Sequence, residues 1–470
     1  MKAKSLYFVG IGGIGMSGLA RYFHAHGVEV AGYDRTGSDI TNNLKASGMD
    51  VTIGQTADDA LLHFESWLLR NQGEDATVIR TPAVQDDFPV LIAAQKAHVP
   101  IFKRSEVLGQ LTHGQPTLAV AGTHGKTTTS AMLAHILMQE PQGCRAFIGG
   151  VMTSTKSNVF WSDQAQWTVV EADEFDRSFL HLQPTHAAIT SADPDHLDIY
   201  GDFNSFQQGF RDFAGHVSGN LLMESEVVID GLEGMRYGIA MTAEEAVSKR
   251  LSFAAIQPKV EEGWMTATVW VNGQIIPSVR FPLPGRHNVL NGLAAIALAH
   301  EAGIPVSRSV SHLSSFQGIE RRFAYQIRQA NGVYIDDYAH HPAELEAAIE
   351  AARTHHPGRE ITGIFQPHLF TRTRDHLKAF GQVLSKLDRI FLLPIYPARE
   401  APIPGIDSQT LFENIPNPSK HLIESHQIFD NLKEFPPEVL MTLGAGDIDR
   451  LVKPLCNWLQ EDPLRFKQDT

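Results

Sequence analysis

Apolar runs and helical patterns alternate along the first part of the chain. An apolar run at Ser5–Val9 leads into a helical pattern at 16–26, and a second apolar run follows at 28–33. Further apolar runs occur at 76–79 and 99–102. Strands that alternate with helices are typical of a parallel sheet covered by helices. The pattern therefore predicts an α/β domain at the start of the chain.

The middle of the chain continues this alternation and adds a hairpin. Apolar runs at 116–120, 167–170 and 187–189 predict buried strands, with helical patterns at 130–138 and 292–302. At 267–279 apolar and polar residues alternate around Asn272-Gly273, a dipeptide that favours a tight hairpin turn. We expect a second α/β domain with an antiparallel addition.

Four more apolar runs follow, at 333–335, 361–365, 389–393 and 439–443, again separated by helical patterns. They predict a third α/β domain. We expect boundaries that give domains 1–110, 111–314 and 315–470. The length of 470 residues agrees with about three domains.

Composition limits the classes of function. The chain has 39 basic and 53 acidic residues, a formal charge of −14, which argues against a nucleic-acid surface. The apolar run near the start is broken by glycines, and no run reaches the ~18 apolar residues of a spanning helix, so we expect no membrane insertion. Only Cys144 and Cys456 are present, which favours a reducing, cytoplasmic location.

A glycine-rich turn follows the first strand. The candidate ligand-binding residues there are Gly12, Gly13, Ile14 and Gly15, with Asp34 about 20 positions on. This spacing lets the backbone approach a diphosphate at a helix N-terminus. A nicotinamide dinucleotide and a UDP-sugar both offer that group, so the motif alone does not choose between them.

A second glycine loop lies between the run 116–120 and the helical pattern 130–138. It is a shortened phosphate-binding loop, with backbone N–H groups for phosphate oxygens, a lysine for the β/γ charge and a threonine hydroxyl for Mg²⁺. The candidate ATP-binding residues are Gly122, Thr123, His124, Gly125, Lys126, Thr127 and Thr128. We therefore expect ATP and Mg²⁺ as the cofactors.

Acidic residues follow the strand at 167–170. Glu171 stands where that strand ends and begins a run with four carboxylates in six residues, a position from which a carboxylate commonly reaches Mg²⁺. After the next strand, Asp195-His196 offers oxygen and imidazole ligands, and we single out His196. The competing interpretation of the acidic run is a solvated loop.

Several later polar groups also suit a ligand. Asn288 and Asn291 are three residues apart and would share a helical face suited to a base or ribose, although Asn288 could instead cap the helix. Arg322 by itself is compatible with ordinary surface charge. The third domain has polar residues after its first two strands, where open α/β sheets bind ligands: Asp337, Tyr338, His340, Arg372 and Arg374.

These motifs, in this order, resemble the Mur ligases, ATP-dependent enzymes that add amino acids to UDP-N-acetylmuramic acid in peptidoglycan synthesis. The resemblance covers nearly the whole chain. It is carried by GIGGIGMSGLA at 10–20, GTHGKTTT at 122–129, EADEFDRSFLHLQP at 171–184, DHLDIYG at 195–201, GRHNVLN at 285–291, ERRF at 320–323, DDYAHHPAE at 336–344, FQPHLFTRTRD at 366–375, YPAREAPIPGIDS at 396–408 and GAGDI at 444–448.

The resemblance implies three domains: a Rossmann-like domain for the UDP-sugar, a central ATPase-type domain with a phosphate loop, and a Rossmann-like domain for the amino acid. It implies that Lys126 contacts the β/γ-phosphates, that Thr127 and Glu171 ligate one Mg²⁺, and that His196 holds a second cation. It further implies that His287, Asn288 and Asn291 lie near adenine, and that Arg322 and Asp337 reach the nucleotide.

The implied reaction is ligation of L-alanine to the lactyl carboxylate of UDP-N-acetylmuramate through an acyl phosphate. Tyr338 and His340 match the amino-acid pocket of the family. The chain departs from the family at Leu369, where an arginine is common, so the carboxylate clamp would use Arg372 with Arg374. Sister ligases have a carbamylated lysine where this chain has Arg211, which favours the alanine-adding enzyme. We expect a monomer or a homodimer.

Three alternatives stay open at this point. A recycling ligase that joins a preformed tripeptide to the same sugar nucleotide shares the phosphate loop and the DD-x-A-H-H-P motif. A non-catalytic nucleotide sensor would keep the fold without ATP turnover. A nicotinamide dehydrogenase would explain only residues 1–34.

Overall fold

The computed structural model describes residues 4–71, 75–193, 200–398 and 400–467. Contacts divide the chain into two compact units. Unit 1 comprises 1–257, 267–279 and 290–316, and unit 2 comprises 258–266, 280–289 and 317–470. The three domain boundaries expected from the sequence stay a prediction.

The first sheet contains five parallel strands in the order β3-β2-β1-β4-β5. This is the strand order of a Rossmann-like half, in which ligands bind outside the carboxyl ends of the strands. The strands are β1 Ser5–Val9, β2 Glu29–Asp34, β3 Asp50–Ile53, β4 Ala76–Arg80 and β5 Ile101–Lys103. The helices are α1 Ile14–Ala25, α2 Asp39–Ala46, α3 Ala57–Arg70, α4 Pro89–Lys96 and α5 Arg104–Thr112.

The second sheet has ten strands in the order β15-β14-β13-β12-β11-β10-β6-β9-β7-β8. Its strands are β6 Thr117–Ala121, β7 Arg145–Met152, β8 Ser157–Phe160, β9 Thr168–Glu171, β10 His186–Ile189, β11 Leu221–Glu224, β12 Met235–Ala240, β13 Leu251–Glu261, β14 Trp264–Val271 and β15 Gln274–Phe281. The helices of this part of the chain are α6 Lys126–Met138, α7 Phe203–Gly215, α8 Ala243–Ser248, α9 Arg286–Glu301 and α10 Val306–Leu313, with a 3-10 helix at Phe175–His181.

The third sheet has six strands in the order β16-β17-β21-β18-β19-β20, parallel except for the edge pair β16 and β17. The strands are β16 Ala324–Arg328, β17 Val333–Asp337, β18 Ile361–Phe365, β19 Arg389–Leu392, β20 Lys420–Leu422 and β21 Val439–Leu443. The helices are α11 Pro342–His355, α12 Phe370–Asp375, α13 Leu377–Leu384, α14 Ser408–Glu413, α15 Ile428–Glu434 and α16 Val452–Glu461, with 3-10 helices at Ser425–Gln427, Asp447–Leu451 and Pro463–Arg465.

The α/β class and the hairpin are confirmed. Asn272 and Gly273 form the two-residue turn between β14 and β15, and both have positive φ angles, 45° and 95°. A type I′ turn needs such angles at both central positions.

Two helix starts differ from the sequence expectation. α6 begins at Lys126 rather than at 130, and α9 begins at Arg286 rather than at 292. The helix α10 lies directly before the expected domain boundary between residues 314 and 315. In α6 and α9, polar residues extend the helix ahead of the apolar pattern.

The five-stranded sheet and the ten-stranded sheet share an apolar core within unit 1. Leu19 and Phe23 of α1 belong to the same buried cluster as Phe147 of β7 and Phe179. A buried amide supports this packing, because Asn158 Nδ2 on β8 donates a hydrogen bond to the Ile14 carbonyl at the start of α1 (2.7 Å). The glycine turn before α1 is thereby fixed against the second sheet.

Across the described ranges, no helix combines the length and the apolar character needed to cross a bilayer.

Candidate functional site

The phosphate loop lies between β6 and α6 in unit 1, and its shape depends on two glycines. Gly122 and Gly125 have φ angles of 130° and 83°, which side-chain-bearing residues rarely adopt. A Cβ atom at Gly122 would also collide with the Thr190 hydroxyl, and one at Gly125 with the Asn291 amide oxygen. Both positions therefore require glycine for space as well as for conformation.

Lys126, the first residue of α6, is turned back over the loop. Its Nζ donates to the Gly122 carbonyl (2.7 Å) and to Glu174 Oε2 (2.6 Å). Burial alone would lower the pKa of Lys126, but the carboxylates of Glu174, Asp173 and Glu171 outweigh it and raise that pKa above its ordinary value. The carboxylates around Lys126 therefore favour its charged form at the loop.

The hydroxyl of Thr127 and the carboxylate of Glu171 lie together, although they are 44 residues apart in the sequence. Thr127 Oγ1 donates to Glu171 Oε1 (2.9 Å), and the Gly149 N–H donates to Glu171 Oε2 (2.7 Å). β6 and β9 are parallel neighbours, so Glu171 at the end of β9 and Thr127 in the segment after β6 lie at the same edge of the sheet. These hard oxygen donors fit Mg²⁺. His196, the other expected metal ligand, lies outside the described residues.

Two residues that sequence reasoning missed form hydrogen bonds to the phosphate loop. Thr190 and Ser191 follow β10, and the Ser191 hydroxyl accepts the His124 N–H (2.7 Å) and bonds the Thr123 hydroxyl (2.9 Å). The Thr190 hydroxyl donates to the Ala121 carbonyl (3.1 Å) and to the His124 carbonyl. Their position directly after a predicted strand is the signal that could have identified them from the sequence. They fix the loop backbone from the neighbouring strand.

The glycine turn of the first sheet is held by Asp34. The Gly12 N–H donates to Asp34 Oδ2 (2.8 Å), and the Thr36 N–H donates to Asp34 Oδ1 (3.1 Å). A Cβ atom at Gly12 would lie 2.8 Å from Asp34 Oδ2, so a side chain there would displace this carboxylate. The carboxylate thus supports the turn that also contains Gly13, Ile14 and Gly15. Whether Asp34 contacts a substrate stays a prediction.

The candidate adenine residues divide between the two units. In unit 1, Asn291 is buried and its amide oxygen accepts the Thr129 hydroxyl (3.3 Å), beside Thr128 in α6. In unit 2, burial lowers the pKa of His287 to about 4. Asn288 is the third residue of its helix and donates to the Pro284 carbonyl (2.6 Å). Asn288 is therefore not an N-cap residue, and that interpretation was wrong.

A strained turn in unit 2 presents Arg322. The residues on either side, Arg321 and Phe323, have φ angles of 61° and 46°. The buried carboxylate of Asp337 accepts the Phe323 N–H (2.7 Å) through Oδ2 and the Ala339 N–H (2.7 Å) through Oδ1. Arg322 itself lies over the Tyr338 ring, 5.1 Å from its centroid. Asp337 thus holds the turn, a role that sequence reasoning did not foresee.

The expected amino-acid residues partly converge at the carboxyl ends of β17 and β18. The rings of Tyr338 and His340 are 5.2 Å apart, and those of His340 and His368 are 5.8 Å apart. Arg372 Nη1 lies 3.3 Å from His368 Nδ1. Arg374 instead forms an exposed ion pair with Asp375 (2.7 Å), so the structure places Arg372 but not Arg374 in this cluster. His368 was missed as a site residue.

Three family models match the chain in order along its length. They describe a Mur ligase family catalytic domain at residues 5–115, a Mur ligase middle domain at 120–299 and a Mur ligase glutamate ligase domain at 321–449. The chain belongs to the Mur ligase family. The three-domain α/β architecture expected from the sequence is therefore confirmed.

Individual Mur ligases are similar over almost the full length. A UDP-N-acetylmuramate–L-alanine ligase of Flavobacterium johnsoniae is 42% identical over 465 residues, covering 98% of each chain. One of Porphyromonas gingivalis is 42% identical over 461 residues, covering 97% of this chain and 99% of the other. The crystal structure of the UDP-N-acetylmuramate-alanine ligase of Thermotoga maritima matches with a TM-score of 0.82 and 26% identity, covering 97% and 99% of the two chains.

Proposed function

We propose that this Mur ligase joins L-alanine to the lactyl carboxylate of UDP-N-acetylmuramate at the expense of ATP. The observation that carries the proposal is the near-complete match to relatives that are named as this ligase, at 42% identity. The site in unit 1 supplies what phosphoryl transfer needs, because Lys126, Thr127 and Glu171 converge at the phosphate loop. It is an ATP-dependent carbon–nitrogen ligase.

The reaction has two steps. The lactyl carboxylate attacks the γ-phosphorus of ATP, forming an acyl phosphate while ADP leaves. The amine of alanine then attacks the acyl carbon, and phosphate leaves from the tetrahedral intermediate as the amine loses a proton. Both steps bring anions together, so fixed positive charge at the site lowers the barrier.

Each group of the chain has a place in this scheme. Lys126 remains charged and offsets the β/γ-phosphates, while the loop N–H groups orient them. Thr127 and Glu171 would hold one Mg²⁺, and His196 would help to hold a second cation. When it is bound, Mg²⁺ supplies positive charge that neutralises the oxygens of the transferred phosphoryl group. The cluster of Tyr338, His340 and Arg372 would hold the amino acid, with Arg372 as the carboxylate donor.

The departure at Leu369 bears on amino-acid binding. A leucine cannot donate a hydrogen bond to a carboxylate, so the clamp depends on the single guanidinium of Arg372.

We propose a cytoplasmic enzyme, because both cysteines are free thiols in the structure.

The test measures phosphate release from ATP with Mg²⁺ and UDP-N-acetylmuramate, with mass spectrometry of the product. L-alanine, glycine, L-serine and the tripeptide L-alanyl-γ-D-glutamyl-diaminopimelate are compared as acceptors. We expect turnover with L-alanine and a product that carries one alanine. The variant Lys126→Ala should lose nearly all of this turnover. Its circular dichroism spectrum should show that it is still folded.

Other outcomes would replace the proposal. Turnover with the tripeptide alone would make the protein a recycling ligase. Binding of ATP without turnover of any acceptor would support a nucleotide sensor. NAD(H)-dependent activity would revive the dehydrogenase hypothesis.

A further inference from the structure

The acidic loop, residues 171–176 after β9, contacts basic groups on two sides within unit 1. On one side, Glu174 is paired with Lys126 of the phosphate loop. On the other side, Lys103 Nζ lies 2.8 Å from Asp176 Oδ2, and Arg104 Nη2 lies 4.0 Å from Asp173 Oδ2. The loop therefore connects the ATP-binding segment with the start of α5 in the first α/β sheet region.

Arg104 also lies over the glycine turn of the first sheet. A Cβ atom at Gly15 would be 2.9 Å from Arg104 Cδ and 3.0 Å from Nη1. The side chain is 20% exposed, so its guanidinium is held beside the turn but can still be reached by a ligand. Gly15 belongs to the first turn of α1, which contains no acidic residue. The positive end of that helix and a guanidinium therefore lie side by side.

We propose that Arg104 binds the diphosphate of the sugar nucleotide and that its contact with Asp173 couples this site to the phosphate loop. The proposal rests on the proposed function for the identity of the ligand as a UDP-sugar. A diphosphate carries more negative charge than one carboxylate and suits the planar guanidinium fork. In the ligand-bound protein, Arg104 therefore donates to phosphate oxygens and loses its 4.0 Å ion pair with Asp173.

Loss of this contact affects a loop whose backbone is already strained. Asp176 and Arg177 have φ angles of 53°, unusual for residues with a side chain. The Asp173 carboxylate also accepts the Phe175 N–H (3.2 Å), so a change at Asp173 reaches the backbone next to Glu174. Glu174 in turn holds Lys126. Binding of the diphosphate thus weakens the ion pair between Glu174 and Lys126. Lys126 can then contact the triphosphate.

The first arm of the test measures the binding of UDP and of uridine by calorimetry. Arg104→Ala should weaken UDP binding by about 10- to 100-fold, the range for a lost charged hydrogen bond. The UDP affinity of Arg104→Lys should lie between that of Arg104→Ala and that of the wild type. Uridine binding should not change in either variant. Arg70→Ala, which removes an exposed ion pair with Asp50 on the same sheet region, is the matched control and should bind UDP normally. Wild-type UDP affinity in Arg104→Ala, or an equal loss for uridine, overturns the proposal.

The second arm measures ATP affinity with and without saturating UDP. We expect UDP to tighten ATP binding by about fivefold or more in the wild type, and ATP to tighten UDP binding by the same factor. In Asp173→Asn both factors should fall to about one. Unchanged coupling in Asp173→Asn overturns the link through Asp173.

The alanine ligation assay, run in parallel, separates this inference from the proposed function. Normal alanine ligation by the wild type together with an unchanged KM for UDP-N-acetylmuramate in Arg104→Ala would overturn the inference alone. UDP binding that depends on Arg104, without alanine ligation, would overturn the proposed function alone.

Discussion

At the residue scale, Asp337 is subject to two opposing effects. Burial raises the pKa of its carboxyl from 3.8 to about 6, although Arg322 and two backbone N–H donors favour the charged form. The charged form holds the Phe323 N–H and so the turn that presents Arg322. A proton on Asp337 should therefore weaken this turn near pH 6.

This effect on activity has the opposite sign from the effect on stability. Because the folded pKa is raised, the folded protein takes up the proton before the unfolded chain does, so the group adds stability as the pH falls from 6 towards 3.8. We expect kcat/KM for ATP to fall about tenfold per pH unit below 6. Protonation of Asp337 should not lower the urea midpoint over the same pH range.

Asp337→Asn should have low activity that no longer declines near pH 6. Asp388→Asn is a matched control, because Asp388 also accepts a backbone N–H, that of Ile361 (2.7 Å), and it should keep the decline. A decline that persists in Asp337→Asn would show that another group titrates.

At the element scale, the connection from β18 to α12 contains backbone strain. Leu369 directly precedes α12 with φ 72° and ψ 138°, a combination that is favourable only for glycine. Its carbonyl accepts the Thr373 hydroxyl (2.8 Å), and its N–H donates to the Tyr396 carbonyl (2.9 Å), so contacts on both sides hold the conformation.

Leu369→Gly should relieve this strain, whereas Leu369→Ala shortens the side chain but keeps the backbone strain. We expect the glycine variant to be more stable than the alanine variant by about 1 kcal/mol in urea unfolding. Equal stability of the two variants, or a less stable glycine variant, would contradict the presence of strain at this position.

The sequence predicted elements well where an apolar run ends at a glycine or a polar residue, as at Ser5–Val9 and Val439–Leu443. It misplaced the starts of α6 and α9, because their first residues are polar, and those of α6 are stabilised by contacts with distant segments. Thr127 of α6, for example, is paired with Glu171 at the end of β9. Hydrophobic periodicity contains no information about such pairs.

The same limit applied to the site. The residue types at the phosphate loop could be assigned from chemistry and spacing. The grip of Glu174 on Lys126 and the position of Arg104 over Gly15 could not, since both depend on how separate chain segments pack.

At the scale of the whole molecule, the first two sheets should unfold together. They share one buried cluster in unit 1, and Tyr22 of α1 packs against Phe147 of β7 with ring centroids 5.3 Å apart. A core that includes side chains from both sheets cannot lose one sheet without exposing apolar surface of the other. Residues 1–110 should therefore not behave as an independent folding unit.

Phe147→Ala tests this, because it removes a buried ring from that cluster and should cost about 3 kcal/mol. Hydrogen exchange at increasing urea should show the protection of Ser5–Val9 and Thr117–Ala121 lost at one common midpoint, which the variant lowers for both strands. Leu62→Ala, which truncates a side chain that is 68% exposed on α3, should shift neither strand by more than about 0.5 kcal/mol. If Ser5–Val9 stays protected in Phe147→Ala after Thr117–Ala121 has exchanged, the first sheet folds alone.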